Sequence, residues 1–187
     1  MSKSNSPRKS PPFIWSDYVF LALLVVNLLV VISLGHDIFI QGDKLEQARK
    51  NGESVMAWAK ELDEDFANGK SLNPKKCTPA TDQDLKNPKF QPNTWGGCVV
   101  ELFSSTGQFQ QMKNAFMKSG LVWAKKCDRE HPESKGALIF ERLNPGPTGS
   151  LIASEFKESD VLVNGMEFRI SVCDRGFRLI KIGEAKL

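Results

Sequence analysis

The sequence predicts an α+β protein: an N-terminal transmembrane helix that continues into an amphipathic helix packed on an antiparallel sheet of about four strands. Three observations predict it. Tyr18–Leu34, YVFLALLVVNLLVVISL, holds seventeen residues with no charge. Leu45, Ala48, Gly52, Val55, Ala59, Leu62 and Phe66 recur at spacings of three and four, which places all seven on one helical stripe. Met166, Phe168, Ile170 and Val172 alternate with Glu167, Arg169 and Ser171, the period of a half-buried strand.

Residues 1–12, MSKSNSPRKSPP, have little apolar content and three prolines, and read as a disordered cytoplasmic tail. The apolar run follows. At ~1.5 Å per residue it gives a helix of ~26 Å, a little short of the ~30 Å hydrocarbon layer. Phe13–Trp15 before it and Ile38–Ile40 after it cover the deficit, so the transmembrane helix is placed at 13–40. A helix is the economical way to cross, because it satisfies its own backbone where water cannot. Trp15 and Tyr18 suit the membrane interface.

A cleaved signal peptide is the competing reading of this end, with Ser33-Leu34-Gly35 as the small-residue site. The length of the span, Asn27 near its middle and the continuing apolar residues Ile38–Ile40 favour an anchor. Asn27 itself is either a tolerated polar residue or a contact to another helix in the membrane.

Orientation comes from charge. Lys3, Arg8 and Lys9 precede the span with no acid among residues 1–12, which leaves 22 basic and 22 acidic residues beyond. His36, Asp37 and Asp43 begin the far side. The positive-inside bias keeps the N-terminus cytoplasmic and sends 41–187 across as a periplasmic or extracellular domain, most economically from a bacterial inner membrane. The net charge of +3 therefore sits at the N-terminal end. A balanced domain has no electrostatic footprint for nucleic acid.

Cysteine usage agrees. Cys77, Cys98, Cys127 and Cys173 are even in number, lie beyond the span and are widely spaced. No CxxC or Cys/His cluster offers zinc spacing, so disulfides are expected. Of three connectivities, Cys77–Cys98 closing a Pro- and Asn-rich loop and Cys127–Cys173 joining two strands are favoured.

Within 41–187, a helix is expected from about Asp43 to Asn68, stopped by Gly69 and Pro74. Its stripe is small at Ala48, Gly52 and Ala59. It docks on its own sheet, forms a coiled-coil dimer seam, or makes a subunit contact in a larger assembly, where a partner could approach the backbone closely. Residues 70–97 are loop-rich, with a short helix over Thr81–Lys86. Cys98–Phe103 is a brief apolar run, and Phe109–Met117 has a helical spread of apolar residues. Strands follow at Leu121–Lys126, Ala137–Leu143, Met166–Val172 and from Phe177 to Ile182. Asn144–Gly149 is a loop, and Asp174-Arg175-Gly176 a hairpin turn.

The chain carries no P-loop, no GxGxxG after a strand and no GxSxG, so no enzyme and no cofactor is expected. The acidic group Glu61, Asp63, Glu64 and Asp65 fails as a calcium loop, because Asn68 and Pro74 stand where Gly and Glu are needed. His36 and His131 have no nucleophile beside them.

Phe13-Ile14-Trp15-Ser16-Asp17 places an acid four residues after a Phe, ahead of an apolar helix, a regular seam and a sheet. In this pattern the chain resembles type IV pilins and pseudopilins. The family has Gly before the processing point and Glu as the acid, where this chain has Pro12 and Asp17. The resemblance implies that Phe13 corresponds to the first mature residue and Asp17 to the acid that orders subunit packing. Asp17, Asn27, Ala48, Gly52 and Ala59 are thus the expected interaction positions. The expected role is structural, through the membrane and through protein partners or self-association of the helix. The alternative is a sensory or ligand-binding domain working through a membrane partner, which requires a lined pocket.

Overall fold

The computed structural model describes residues 15–70, 75–147 and 149–187. The tail, Pro12 and Phe13 lie outside the described residues. The chain divides into two units, one ending at Gly42 and one spanning Asp43–Leu187. One helix, α1 (Trp15–Ala67), contributes to both.

In the first unit α1 includes a stretch long and apolar enough to cross a membrane, none of it buried in the protein. Its large apolar side chains, from Trp15 and Tyr18 through Leu34 to Ile40, are exposed.

In the second unit α1 carries the expected stripe. Ala48, Val55, Ala59 and Leu62 are buried, as is Trp58, while Leu45, Met56 and Phe66 pack against the same core. The helix stops where the sequence places a stop. Gly69 adopts φ +66°, a left-handed conformation that costs glycine little, and its N–H reaches Phe66 O at 3.1 Å. The Asn68 side chain donates to Glu64 O at 2.7 Å, satisfying another terminal carbonyl.

Two short helices follow. α2 (Asp82–Leu85) begins at a capping box, in which Thr81 Oγ1 accepts from Asp84 N and the Asp84 carboxylate accepts from Thr81 N. α3 (Trp95–Leu102) absorbs most of the apolar run at Cys98–Phe103 and is capped by Thr94, whose Oγ1 accepts from Gly97 N at 3.4 Å. Trp95 stacks on Phe156 at 4.3 Å between ring centroids and meets Phe140 edge-on at 5.0 Å.

The sheet has five strands and is mixed, not antiparallel throughout: β1 (Trp123–Ala124), β2 (Leu138–Pro145), β3 (Leu151–Glu155), β4 (Glu167–Cys173) and β5 (Leu179–Lys186). β2 pairs antiparallel with β4, and β4 with β5. β1 pairs parallel with the start of β2, and β3 pairs antiparallel with its end. Glu141 faces Glu155 on one side and Arg169 on the other, so β3 lies on the side of β2 away from β4.

Four further expectations change. Leu121–Lys126 contracts to the two residues of β1. The loop expected over Asn144–Gly149 starts later, because β2 runs through Pro145, and β3 follows it. Phe109–Met117 forms turns rather than a helix. Asn114 explains this: its Oδ1 accepts from Phe116 N and Met117 N while its Nδ2 donates to Leu121 O and Lys135 O. Such side-chain bonds compete with a helical ladder. Finally, Cys127 lies in a loop after β1, so its disulfide joins a loop to a strand.

Candidate functional site

The disulfides are Cys77–Cys98 and Cys127–Cys173, with Cα–Cα distances of 4.5 Å and 5.2 Å. The first fixes the turn at Lys75–Cys77 to α3. The second fixes the loop after β1 to the end of β4. Gly136 N donates to Cys173 O at 2.7 Å and Cys173 N to Ala137 O at 3.0 Å, so this loop is also tied to β4 by backbone. Ser134 is fully buried beneath it, its hydroxyl 3.7 Å from Cys173 Sγ.

The residues expected to make intermolecular contacts fall into two groups. Asp17 and Asn27 are exposed on α1 in the first unit. Asn27 Nδ2 donates to Leu23 O at 2.8 Å, one turn back in its own helix, so half of its amide is satisfied locally. Ala48, Gly52 and Ala59 are in the core of the second unit. A Cβ on Gly52 would fall on Ile182 Cδ1 and lie 3.4 Å from Leu138 Cδ2. The seam is small because the domain's own sheet fills it.

An open groove of about 570 Å³ lies beside β1. Phe103, Leu121, Val122 and Trp123 supply its apolar wall, and the segment His131–Ser134 faces them. Leu121 is nearly half exposed there. Three distant stretches build it: the end of α3, the β1 segment pinned by Cys127, and the turn at Pro132–Ser134. Leu121 N donates to Glu133 O at 3.3 Å, holding the last two together.

The charges around the groove are paired with one another. His131 Nδ1 lies 3.2 Å from Glu133 Oε1, Lys126 Nζ 3.4 Å from Glu155 Oε2, and Lys125 Nζ 2.9 Å from Glu158 Oε1. The hydrogen bond from Lys125, with its charge, holds the Glu158 carboxyl below its usual range and raises Lys125 in turn. Among the described residues, no group of three or more His, Cys, Asp or Glu is placed to hold a metal. The groove therefore offers apolar contact and hydrogen bonds rather than a free charge. Its volume is in the range of small-ligand sites, though its mouth is open.

Sequence reasoning marked Leu121–Lys126 as a strand but not as the wall of a groove. No motif could have done so, because the opposite wall comes from residues far away in the chain. The chain matches no protein-family model, no curated protein and no solved structure.

Proposed function

We propose that the protein is a single-pass membrane protein whose disulfide-bonded domain works outside the cytoplasm, in a structural or interaction role in the cell envelope, as a pilin-like subunit. The observation that carries this reading is α1. Its first part exposes an uninterrupted apolar surface, and its later part is the core helix of an α+β domain. Exposure of so much apolar side chain is unfavourable in water and is relieved in lipid or against other helices. The two disulfides fit an oxidising compartment. Since Ala48, Gly52 and Ala59 are used within the domain, contact between copies falls to the exposed segment that contains Asp17 and Asn27.

Cysteine scanning tests this. Single cysteines placed from Leu21 to Val31 are oxidised in native membranes and resolved without reductant. The native cysteines are already paired and do not compete. Crosslinked dimers recurring every three or four positions support a helix contact between copies. Absence of dimers at every position contradicts the subunit reading.

A second reading has its own observation. The groove beside β1 favours a ligand-binding domain that works through a membrane partner.

A further inference from the structure

We propose that Cys127–Cys173 is a thiol–disulfide exchange site, at which the thiolate of a dithiol attacks Cys127 and Cys173 leaves beside the hydroxyl of Ser134. The inference goes beyond the envelope role and does not depend on the membrane segment or on what the β1 groove holds.

The two disulfides differ in access. Cys77 and Cys98 are both fully buried, which closes their sulfurs to a nucleophile while the domain stays folded. Cys173 is fully buried as well. Cys127 is only half-buried, and it lines an open pocket of about 250 Å³ with Lys125, Lys126 and Asp128. Exchange requires an attacking thiolate to reach one of the two sulfurs. Cys127 is therefore the sulfur attacked, and Cys173 is the leaving group.

The surroundings of Cys173 suit that role. Burial disfavours the charge of a departing thiolate, so a nearby donor is needed to offset it. Ser134 is fully buried with its hydroxyl 3.7 Å from Cys173 Sγ, and a disulfide sulfur carries no hydrogen, so the hydroxyl is the donor. Its other contacts are both to the main chain of Asp128, each at 3.5 Å, the outer limit of a hydrogen bond. The hydroxyl is thus weakly engaged in the oxidised protein and free to turn its proton to a sulfur that gains charge. Bonds to an ionised acceptor are shorter and stronger than neutral ones.

Cys173 is also held in place without its partner. The bonds from Gly136 N to Cys173 O and from Cys173 N to Ala137 O, with the pairing of β2 and β4, do not involve the sulfurs. Reduction frees the loop after β1 and leaves the strand that carries Cys173.

The step is a two-electron exchange. The first thiolate of the dithiol bonds to Cys127 Sγ as the bond to Cys173 breaks, and the electron pair leaves on Cys173. The second thiolate of the dithiol then displaces Cys127. The dithiol ends oxidised to a disulfide, both cysteines end reduced, and the two protons of the dithiol pass to them through water.

The test uses the full chain in detergent micelles, with dithiothreitol as the dithiol and, separately, excess glutathione as a monothiol that halts at the mixed disulfide. Reactions are stopped with acid, alkylated and read at each cysteine by peptide mass spectrometry. The expected result is loss of Cys127–Cys173 while Cys77–Cys98 stays intact, and glutathione attached to Cys127. Ser134→Ala should slow the loss of Cys127–Cys173 by about tenfold, the scale of one hydrogen bond to a charged group. A variant that merely loosened the domain would react faster, and at both disulfides, so an unchanged or raised rate overturns the role of Ser134. Loss of both disulfides together in the wild type, resistance of both, or glutathione on Cys173 overturns the exchange site.

Discussion

Ile182 Cδ1 occupies the space that a side chain on Gly52 would need. Ile182 is the residue left over in the register between β4 and β5, where Gly183 faces Ile170 and Lys181 faces Ser171. The bulge brings Ile182 and Gly183 to the same helix: a Cβ on Gly183 would meet Met56 Sδ. Glycine on the helix and a bulge on the strand are thus two halves of one packing solution.

Gly52→Leu should therefore destabilise the domain by about 3 kcal/mol, the upper end for overpacking a filled core. Ile182→Ala alone should cost about 2–4 kcal/mol through a cavity. Combined, the two should cost clearly less than their sum, because each relieves the other. Denaturant unfolding of the full chain in detergent, followed by tryptophan fluorescence, measures this. Additive costs would mean that the two residues do not share the space.

The disulfides should contribute unequally. Cys127–Cys173 spans 46 residues and Cys77–Cys98 spans 21. Loop-closure entropy gives about 4 and about 3 kcal/mol for chains of those lengths. Paired Cys→Ser variants compared by the same unfolding experiment should show the larger loss for Cys127/Cys173. That variant should also lose order in the β1 groove, whose loop it no longer pins.

Asp174 sets an acid limit. Burial pushes its carboxyl up, but hydrogen bonds from Arg178 N (2.8 Å to Oδ1) and Arg178 Nε (3.0 Å to Oδ2), with the guanidinium charge, outweigh this and leave it lowered from 3.8. A carboxyl with a lowered folded-state pKa contributes stability above its unfolded value and loses it as pH falls through the folded one. Asp174→Asn should cost about 1–2 kcal/mol at neutral pH. The gap between wild type and variant should close below pH 3.8. A gap independent of pH would assign the effect to packing.

Asn27→Leu should leave membrane insertion intact, since the amide bonds within its own helix. If the remaining carbonyl bridges copies, crosslinking through the span should fall about threefold, the scale of one polar contact between helices. Unchanged crosslinking would remove Asn27 from the interface.

Much of the fold was legible because it follows periodicity. The stripe from Leu45 to Phe66 and the alternation from Met166 to Val172 each bury one face, and burial is what a pattern records. β3 was not legible for the same reason: Leu151, Ile152, Ser154 and Glu155 are exposed, so no alternation marks it. The turn after β4 was placed correctly, but its left-handed residue is Phe177 at φ +58°, not the neighbouring glycine. Lys135 Nζ lies 4.7 Å from the Phe177 ring centroid, a contact across 42 positions of sequence that no local rule contains. The groove shares that difficulty, since Phe103, Leu121 and His131, which line it together, lie far apart in the chain. Gly52 was legible as unusual, but its partner Ile182 was not.

The most direct test of the central claim is labelling with a membrane-impermeant maleimide. Ser159→Cys, on an exposed position of the domain, and Ser4→Cys, in the N-terminal segment, are compared before and after the membrane is permeabilised. The account predicts that the cysteine at 159 reacts in intact spheroplasts and the cysteine at 4 reacts after permeabilisation. Labelling of position 4 alone in intact spheroplasts would put the domain in the cytoplasm and contradict the account.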